Sequence, residues 1–354
     1  MSRSHRIAVA MSGGVDSSVA AALLAEQAHG VFGVMMRLWV EPGGANRCCS
    51  PQDVAAARRV AAHLGIPFYV LDMQAPFREH VVEGFLRGYA QGLTPNPCIE
   101  CNRMIRWTLL LREALALGAD QMATGHYARL QPNGNELLLL RGADPAKDQS
   151  YVLSVLDQAQ LQRAVFPLGT MTKAQVRAEA RRRKLPVAER SESQDLCFLG
   201  GGDYREFLIR HQPGNGLPGP IVNTEGRPVG THSGLANYTI GQRKGIGVSA
   251  PQPLYVVHKD PESRTLTVGP RSELGRMAFE IAPVHWIAGR PPSEGSPLEV
   301  QVRYRAPQVE CHVSPLADGG ARVDLARPLP DVTPGQSAVF YSGEVCLGSG
   351  VITP

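Results

Sequence analysis

Ile7-Ala8-Val9-Ala10-Met11-Ser12-Gly13-Gly14-Val15-Asp16-Ser17-Ser18 gives a short apolar run, a glycine turn and the first residues of an alanine-leucine helix expected over 17–28. The same alternation continues downstream. Residues 31–38 read as a strand, and Ser50-Pro51-Gln52-Asp53 starts a helix with serine as N-cap, proline at the first position and an acid near the positive end. Residues 67–71 and 121–124 read as strands, and 77–90 and 103–117 as helices. A late helix over 172–184 carries a capping box of Thr172 and Gln175. Strands alternating with helices predict an α/β unit with a doubly wound, mostly parallel sheet. Such sheets bind ligands beyond the carboxyl ends of their strands.

The chain's 354 residues allow two or three domains. With 43% hydrophobic and 19% charged residues, it is not a disordered polymer. No uninterrupted run of about 18 apolar residues occurs, so no membrane helix is expected. Only a five-residue apolar stretch precedes Ser12, too short for a secretory signal, and a cytoplasmic location is expected. The net charge of +4 says little about nucleic acid, but seven basic residues against two acidic ones lie between Met171 and Arg190. Seven cysteines in a chain without an export signal point to catalysis or metal binding before disulfide scaffolding.

Three units are expected: 1–203, the α/β unit; 204–272, a small central domain; and 273–354, an all-β barrel. Nine glycines between His211 and Ala250 leave little room for long helices in the second. In the third, short strands over 298–304, 309–313, 321–325, 337–341 and 344–351 are divided by Asp318-Gly319-Gly320 and Ser342-Gly343 turns, a barrel pattern.

The glycine turn sits where backbone N–H groups and a helix N-terminus can hold an anion, with Ser12, Ser17 and Ser18 as extra hydroxyl donors. It lacks the lysine of a Walker loop and the G-x-G-x-x-G spacing of a dinucleotide site. The S-G-G-x-D-S pattern resembles the pyrophosphate loop of the ATP pyrophosphatase superfamily. That likeness implies cleavage of ATP between its α and β phosphates and adenylation of a substrate.

Thr94-Pro95-Asn96-Pro97-Cys98-Ile99-Glu100-Cys101-Asn102-Arg103 sets a C-x-x-C between a proline-stiffened loop and a helix start, where a thiolate is stabilised by the helix dipole. Cys197 lies in Ser193-Gln194-Asp195-Leu196-Cys197-Phe198, after the basic helix. Zinc would need a second cysteine pair at comparable spacing, which Cys48-Cys49 does not provide. Cys311 and Cys346, on expected barrel strands, read as small buried hydrophobes.

Taken in order, the loop, Thr94-Pro95-Asn96-Pro97 with Cys101-Asn102, Ala123-Thr124-Gly125-His126-Tyr127, Lys147-Asp148-Gln149-Ser150-Tyr151, Cys197-Phe198, Gly241-Gln242-Arg243-Lys244-Gly245 and Thr333-Pro334-Gly335-Gln336 resemble the bacterial tRNA-specific 2-thiouridylases, from Ile7 to Ile352. The resemblance implies an adenine nucleotide alpha hydrolase-like first domain and replacement of the C2 oxygen of a tRNA wobble uridine by sulfur. It implies ATP, with Mg2+, at Ala10, Met11, Ser12, Gly13, Gly14, Val15, Asp16, Ser17, Met36 and Gly125. The target base is assigned to Asn96, Pro97 and Cys98, and tRNA contact to His126, Lys147, Asp148, Gln149, Arg303, Tyr304 and Gln336. Cys197 is implied as the persulfide acceptor, loaded by a cysteine desulfurase or sulfur-relay protein. Cys101 either releases that sulfur by forming a disulfide with Cys197 or assists the attack directly. The chemistry is coherent: a uridine carbonyl is a poor electrophile until AMP makes its oxygen a leaving group, and sulfur must then attack.

One position departs from the family. Many relatives carry aspartate where this chain has Cys98, so three thiols, Cys98, Cys101 and Cys197, could instead hold an iron–sulfur cluster. The persulfide scheme is preferred. His126 reads as a core histidine or, from its place after a strand's carboxyl end, a functional one. Arg181 to Lys184 reads as a solvated face or a tRNA contact, and Arg243 and Lys244 suit a backbone phosphate. Two other functions stay open: a pyrophosphate-loop ligase or amidotransferase acting on a small carboxylate, and a non-catalytic RNA-binding or metal-dependent module.

Overall fold

In the computed structural model, described over residues 5–27, 30–39, 41, 50–191, 196–293, 295–317, 319–330 and 332–354, a five-stranded parallel sheet forms the first unit. Cys48, Cys49, Asp318 and the stretch 193–195 lie outside the described residues. The strand order is Phe68–Asp72, Gly30–Arg37, Arg6–Ala10, Gln121–Ala123, Ala164–Val165. Side chains alternate across the first strand. Ile7 and Val9 pack with Val19, Ala20 and Val60 on one face, and Ala8 packs with Phe32, Val34 and Met122 on the other. Both faces are covered, which is why the strand reads as an unbroken apolar run rather than an alternating one. Strand order reverses between Arg6–Ala10 and Gln121–Ala123, so their carboxyl ends open the crevice where doubly wound sheets take ligands.

The helix starts behave as their caps dictate. Ser50 and Asp53 form a reciprocal capping box for Pro51–Leu64, and Thr172 with Gln175 does the same for Lys173–Arg182. The first helix runs Val15–Glu26 rather than 17–28. The two helices expected at 77–90 and 103–117 begin earlier, at Gln74 and Pro97, and each contains a π segment, Arg78–Val82 and Cys101–Leu110. Asn96 causes the second early start. Its side chain accepts from the N–H groups of Cys98 and Ile99, with Pro97 at the first helical position, so both cysteines of the C-x-x-C lie within the helix.

Two departures concern strands. Ala128–Asn133 and Glu136–Arg141 form an antiparallel hairpin that leaves the first unit and pairs through Leu139 and Leu140 with Val345–Ile352. Its two-residue turn is Gly134-Asn135, with Gly134 at φ 61° in the position a hairpin turn gives to glycine. Arg276–Trp286 is also a strand, and Pro283 within it masks it from a propensity reading. Together with Leu298–Gln301, Val309–Pro315, Ala321–Leu329, Ser337–Ser342 and Val345–Ile352 it closes a six-stranded antiparallel barrel, Ile281 pairing with Ile352. The central unit is a four-stranded sheet, Tyr255–Asp260, Thr265–Gly269, Gly219–Asn223, Pro228–His232, around Ile221, Val256, Leu266 and Val268. No helix among the described residues is long and apolar enough to cross a membrane.

Candidate active site

The glycine loop leaves the first strand at the crevice. Gly13 stands at φ 73°, and a Cβ there would lie 2.6 Å from the Asp53 carbonyl oxygen, so only glycine fits. Gly14 caps the helix without any side-chain bond, leaving the first amides open to an anion. Ser17 Oγ accepts from Ser12 N at 3.1 Å, and Ser18 Oγ donates to Gly14 O at 2.7 Å, which stiffens the loop. Gly125, just after the neighbouring strand, presses against the same turn: a Cβ would sit 2.8 Å from Ser17 N. Met11 and Val15 are buried in the core, Ala10 is half-buried, and Met36 lies half-buried near the end of the adjacent strand.

Three residues that the sequence reading gave no role complete this corner. Lys173 Nζ contacts both carboxylate oxygens of Asp16, at 2.7 and 2.8 Å, and Tyr127 OH donates to Asp16 Oδ1 at 2.8 Å. Arg190 donates to Gly13 O at 2.9 Å and ion-pairs with buried Asp53, bracing the loop from behind. No spacing rule links positions 16 and 173; only the packing of the two helices does.

A hydrogen-bonded chain joins this corner to the cysteine helix. Asn102 donates to Cys98 O at 3.0 Å and accepts from Arg106 at 2.7 Å. Arg106 lies 3.3 Å from His126 Nε2, and His126 Nδ1 is 2.7 Å from Thr124 Oγ1. Burial, reinforced by the Arg106 charge, holds the His126 pKa well below its ordinary value. The neutral ring then accepts from Arg106 and donates from Nδ1 to Thr124. His126 is only 8% exposed and edges onto Phe166.

Cys98 is exposed, Cys101 is buried, and Cys197 is half-buried against the core that contains Cys101. Among the described residues no group of three or more His, Cys, Asp or Glu is placed to hold a metal ion. Burial pushes the thiols of Cys311 and Cys346 up to about 12, in keeping with inert packing.

The residues assigned to tRNA divide into two kinds. Lys147 is half-buried, while Arg303 and Tyr304 stand at the surface, where Tyr304 OH reaches Asp148 O at 3.4 Å. Arg305 joins this group, donating to Ala146 O at 3.3 Å with its guanidinium over the Tyr304 ring. Asp148 and Gln336 are instead buried. Asp148 takes Arg141 at 2.8 Å, the Ser150 hydroxyl and two backbone N–H groups, while Gln336 donates to Thr94 O at 2.6 Å. Gln149 bonds through its side chain and N–H to the backbone of Tyr127. On the basic helix Arg181 pairs with Glu189, Arg182 with Glu179, and Arg183 with Glu26 and Glu179, which neutralises much of its positive face. In the central unit Gln242 braces its loop through Thr239 N and Lys244 O, leaving Arg243 and Lys244 exposed.

The chain matches the family models described as tRNA methyl transferase HUP domain over residues 5–201, tRNA methyl transferase PRC-barrel domain over 205–270 and aminomethyltransferase beta-barrel domain over 276–352. It is 50% identical over 350 residues to the tRNA-specific 2-thiouridylase MnmA of Chloroflexus aurantiacus, covering 98% of each chain. It is 46% identical over 357 residues to that of Magnetococcus marinus, covering 99% of this chain and all of that one. The likeness to the Geobacter metallireducens protein of the same name is 47% over 355 residues, 98% of this chain and 96% of the relative. These matches run through the loop, the cysteine helix and the barrel alike, and the chain belongs to the tRNA-specific 2-thiouridylase family.

Proposed function

We propose that this protein is a tRNA-uridine 2-sulfurtransferase that adenylates the C2 oxygen of a wobble uridine and replaces it with sulfur. The observation that carries this reading is the Thr124–His126 segment. Its Gly125 packs on the loop backbone at Ser17, and its His126 reaches the cysteine helix through Arg106 and Asn102. One rigid turn therefore serves an anion cradle and a thiol-bearing helix, the two parts that adenylation followed by sulfur attack requires.

In the first half-reaction the uridine oxygen attacks the α phosphorus of ATP and pyrophosphate leaves. The open amides at Gly14 and the helix dipole favour the polyphosphate, and Ser12 and Ser17 are its hydroxyl donors. Asp16, a partly exposed carboxylate at the first helical turn, suits Mg2+, which is held by one or two carboxylates together with substrate phosphates. Bound there, the ion would neutralise phosphate charge. In the second half-reaction the outer sulfur of a Cys197 persulfide attacks C2, and AMP departs with the former carbonyl oxygen. The Cys101 thiolate takes the inner sulfur, leaving a Cys101–Cys197 disulfide that a thiol reductant reopens and a cysteine desulfurase or relay protein reloads. Cys98 stands exposed beside the base loop, where many relatives carry aspartate. The location proposed is the cytoplasm, where tRNA and reduced thiols occur together.

The test is incubation with unmodified tRNA, ATP, magnesium and a cysteine desulfurase, followed by nucleoside mass spectrometry. Sulfur-for-oxygen exchange at the wobble uridine is expected. A methyl group added instead, as the family models' names suggest, or unchanged uridine under aerobic and anaerobic conditions alike, would remove the proposal.

A further inference from the structure

We propose that Cys98 is a resolving thiol: it attacks the Cys101–Cys197 disulfide at Cys101 and moves the bond to a Cys98–Cys101 pair at the surface. The inference rests on the second half-reaction proposed above, which ends with Cys101 and Cys197 joined. That product is poorly placed for repair. Cys101 is buried and Cys197 is half-buried against the same core, so neither sulfur is presented to a protein reductant. Cys98, one helical turn before Cys101, is exposed.

The turn between the two residues favours their pairing. Cys101 N donates to both Pro97 O and Cys98 O, and the second of these is the bond of a tightened turn, in which side chains three residues apart eclipse. Cβ atoms at that spacing on a helix lie about 5–6 Å apart and a disulfide needs about 3.5–4.5 Å, so the turn has about 1–2 Å left to close. Asn96 and Asn102 secure Cys98 at its mouth, the first accepting from its N–H at 3.1 Å and the second donating to its carbonyl at 3.0 Å. In the exchange, the Cys98 thiolate forms a bond to Cys101 Sγ while the Cys101–Cys197 bond breaks. The electron pair leaves on Cys197 Sγ, which takes up a proton, and no oxidant or reductant is consumed. Cys197 is thus returned to the thiol that a desulfurase reloads. A dithiol reductant then attacks at exposed Cys98, supplies two electrons and releases Cys101.

The test maps disulfides after one turnover of the full chain. Protein loaded with persulfide by a cysteine desulfurase, then freed of reductant, is mixed with unmodified tRNA, ATP and magnesium. It is quenched in acid, alkylated and digested for mass spectrometry. A Cys98–Cys101 disulfide should appear in step with 2-thiouridine, with Cys197 alkylated. A Cys101–Cys197 disulfide beside alkylated Cys98, or a bond from Cys197 to any other cysteine, would overturn the proposal and leave the sulfurtransferase reading intact. Thiolated tRNA without any disulfide would overturn it by removing its premise. Unchanged uridine would remove the function itself, and the relay with it. Cys98→Ser supplies a second measurement. It should stop at Cys101–Cys197, and a protein dithiol should reopen that bond roughly tenfold more slowly than it reopens the wild type, because access to the sulfurs limits the exchange. Equal rates of reopening would overturn the relay.

Discussion

Gln336 in the barrel donates through Nε2 to the carbonyl oxygen of Thr94 at 2.6 Å, and so holds the turn that leads into the cysteine helix. The contact is reinforced on both sides. Thr94 N donates to Pro334 O at 2.9 Å, and Gly335, at φ 89°, approaches so closely that a Cβ would lie 2.8 Å from Thr94 N. Only two residues separate Thr94 from the helix that begins at Pro97. The barrel therefore sets where Cys98 is presented, whatever else it does to RNA.

Gln336→Glu is nearly isosteric but cannot donate, so it leaves the buried Thr94 carbonyl unsatisfied at a cost of about 1–3 kcal/mol. Amide hydrogen exchange measured by mass spectrometry should quicken over residues 94–101, and thiolation should slow. The salt dependence of tRNA affinity should not change. A flatter salt slope without faster exchange would mean that Gln336 acts on RNA and not on the turn.

His126 should make folding sensitive to mild acid. Its folded pKa lies well below the ordinary value, so between the two the unfolded chain binds a proton that the native one does not. The stabilisation is fully present above about pH 6.5, the ordinary imidazole value, and is lost as pH falls below it. Urea unfolding of the wild type should weaken between pH 7 and 5.5, and His126→Gln should remove part of that slope. If both proteins show the same slope, the ring is not the buried neutral group described above.

The sequence made the sheet and the loop readable because their signals are local: an apolar run with both faces covered, a capping serine, a glycine that must take positive φ. The cysteine pairing with a helix start was readable for the same reason, though Asn96 moved that start to Pro97. What escaped was long-range. The hairpin at 128–141 looks like part of the first unit until Leu139 and Leu140 meet the last barrel strand. Nothing local to Asp148 shows that it is buried with Arg141 and Ser150 around it. The charge run at 181–183 does not reveal that Glu26, Glu179 and Glu189 pair with its arginines. A run of charge in one dimension carries no information about what faces it.

That pairing shapes an RNA-binding prediction. Neutralising Arg243 and Lys244 together should lower the slope of log affinity against log salt by about 1.4–1.8, the release of two counterions. Neutralising Arg181 and Arg182 should lower it less, because their carboxylate partners already offset them. Equal changes would show that tRNA breaks the ion pairs and uses the helix after all.

Lys259 is buried in the central unit, with Nζ 3.1 Å from Tyr238 O and 5.9 Å from the centre of the Tyr89 ring. Burial lowers its pKa from 10.5 to about 8. Below pH 8 the charged form is carried at a cost of about 3 kcal/mol; stability recovers as pH rises from 8 towards 10.5. Lys259→Met should therefore stabilise the protein at pH 7, by about 1–2 kcal/mol after loss of the Tyr238 bond, and by less at pH 10. Destabilisation at pH 7 would show that the bond outweighs the burial cost.

The cysteines can be separated one at a time. Cys197→Ser should abolish the reducible sulfur label that a desulfurase leaves on the protein, since it removes the persulfide acceptor. Cys101→Ser should keep the label and fail to thiolate tRNA. Cys98→Asp is the decisive change. Cys98 is exposed in the first turn of its helix, its N–H held by Asn96, and a carboxylate at a helix N-terminus is favourable, so the fold should tolerate it. In the persulfide scheme it restores the residue that many relatives carry, and thiolation should survive. In a cluster scheme it exchanges a soft thiolate for a hard carboxylate, which iron–sulfur centres accept poorly. An inactive Cys98→Asp protein, beside anaerobic wild type containing iron and acid-labile sulfide, would overturn the persulfide mechanism.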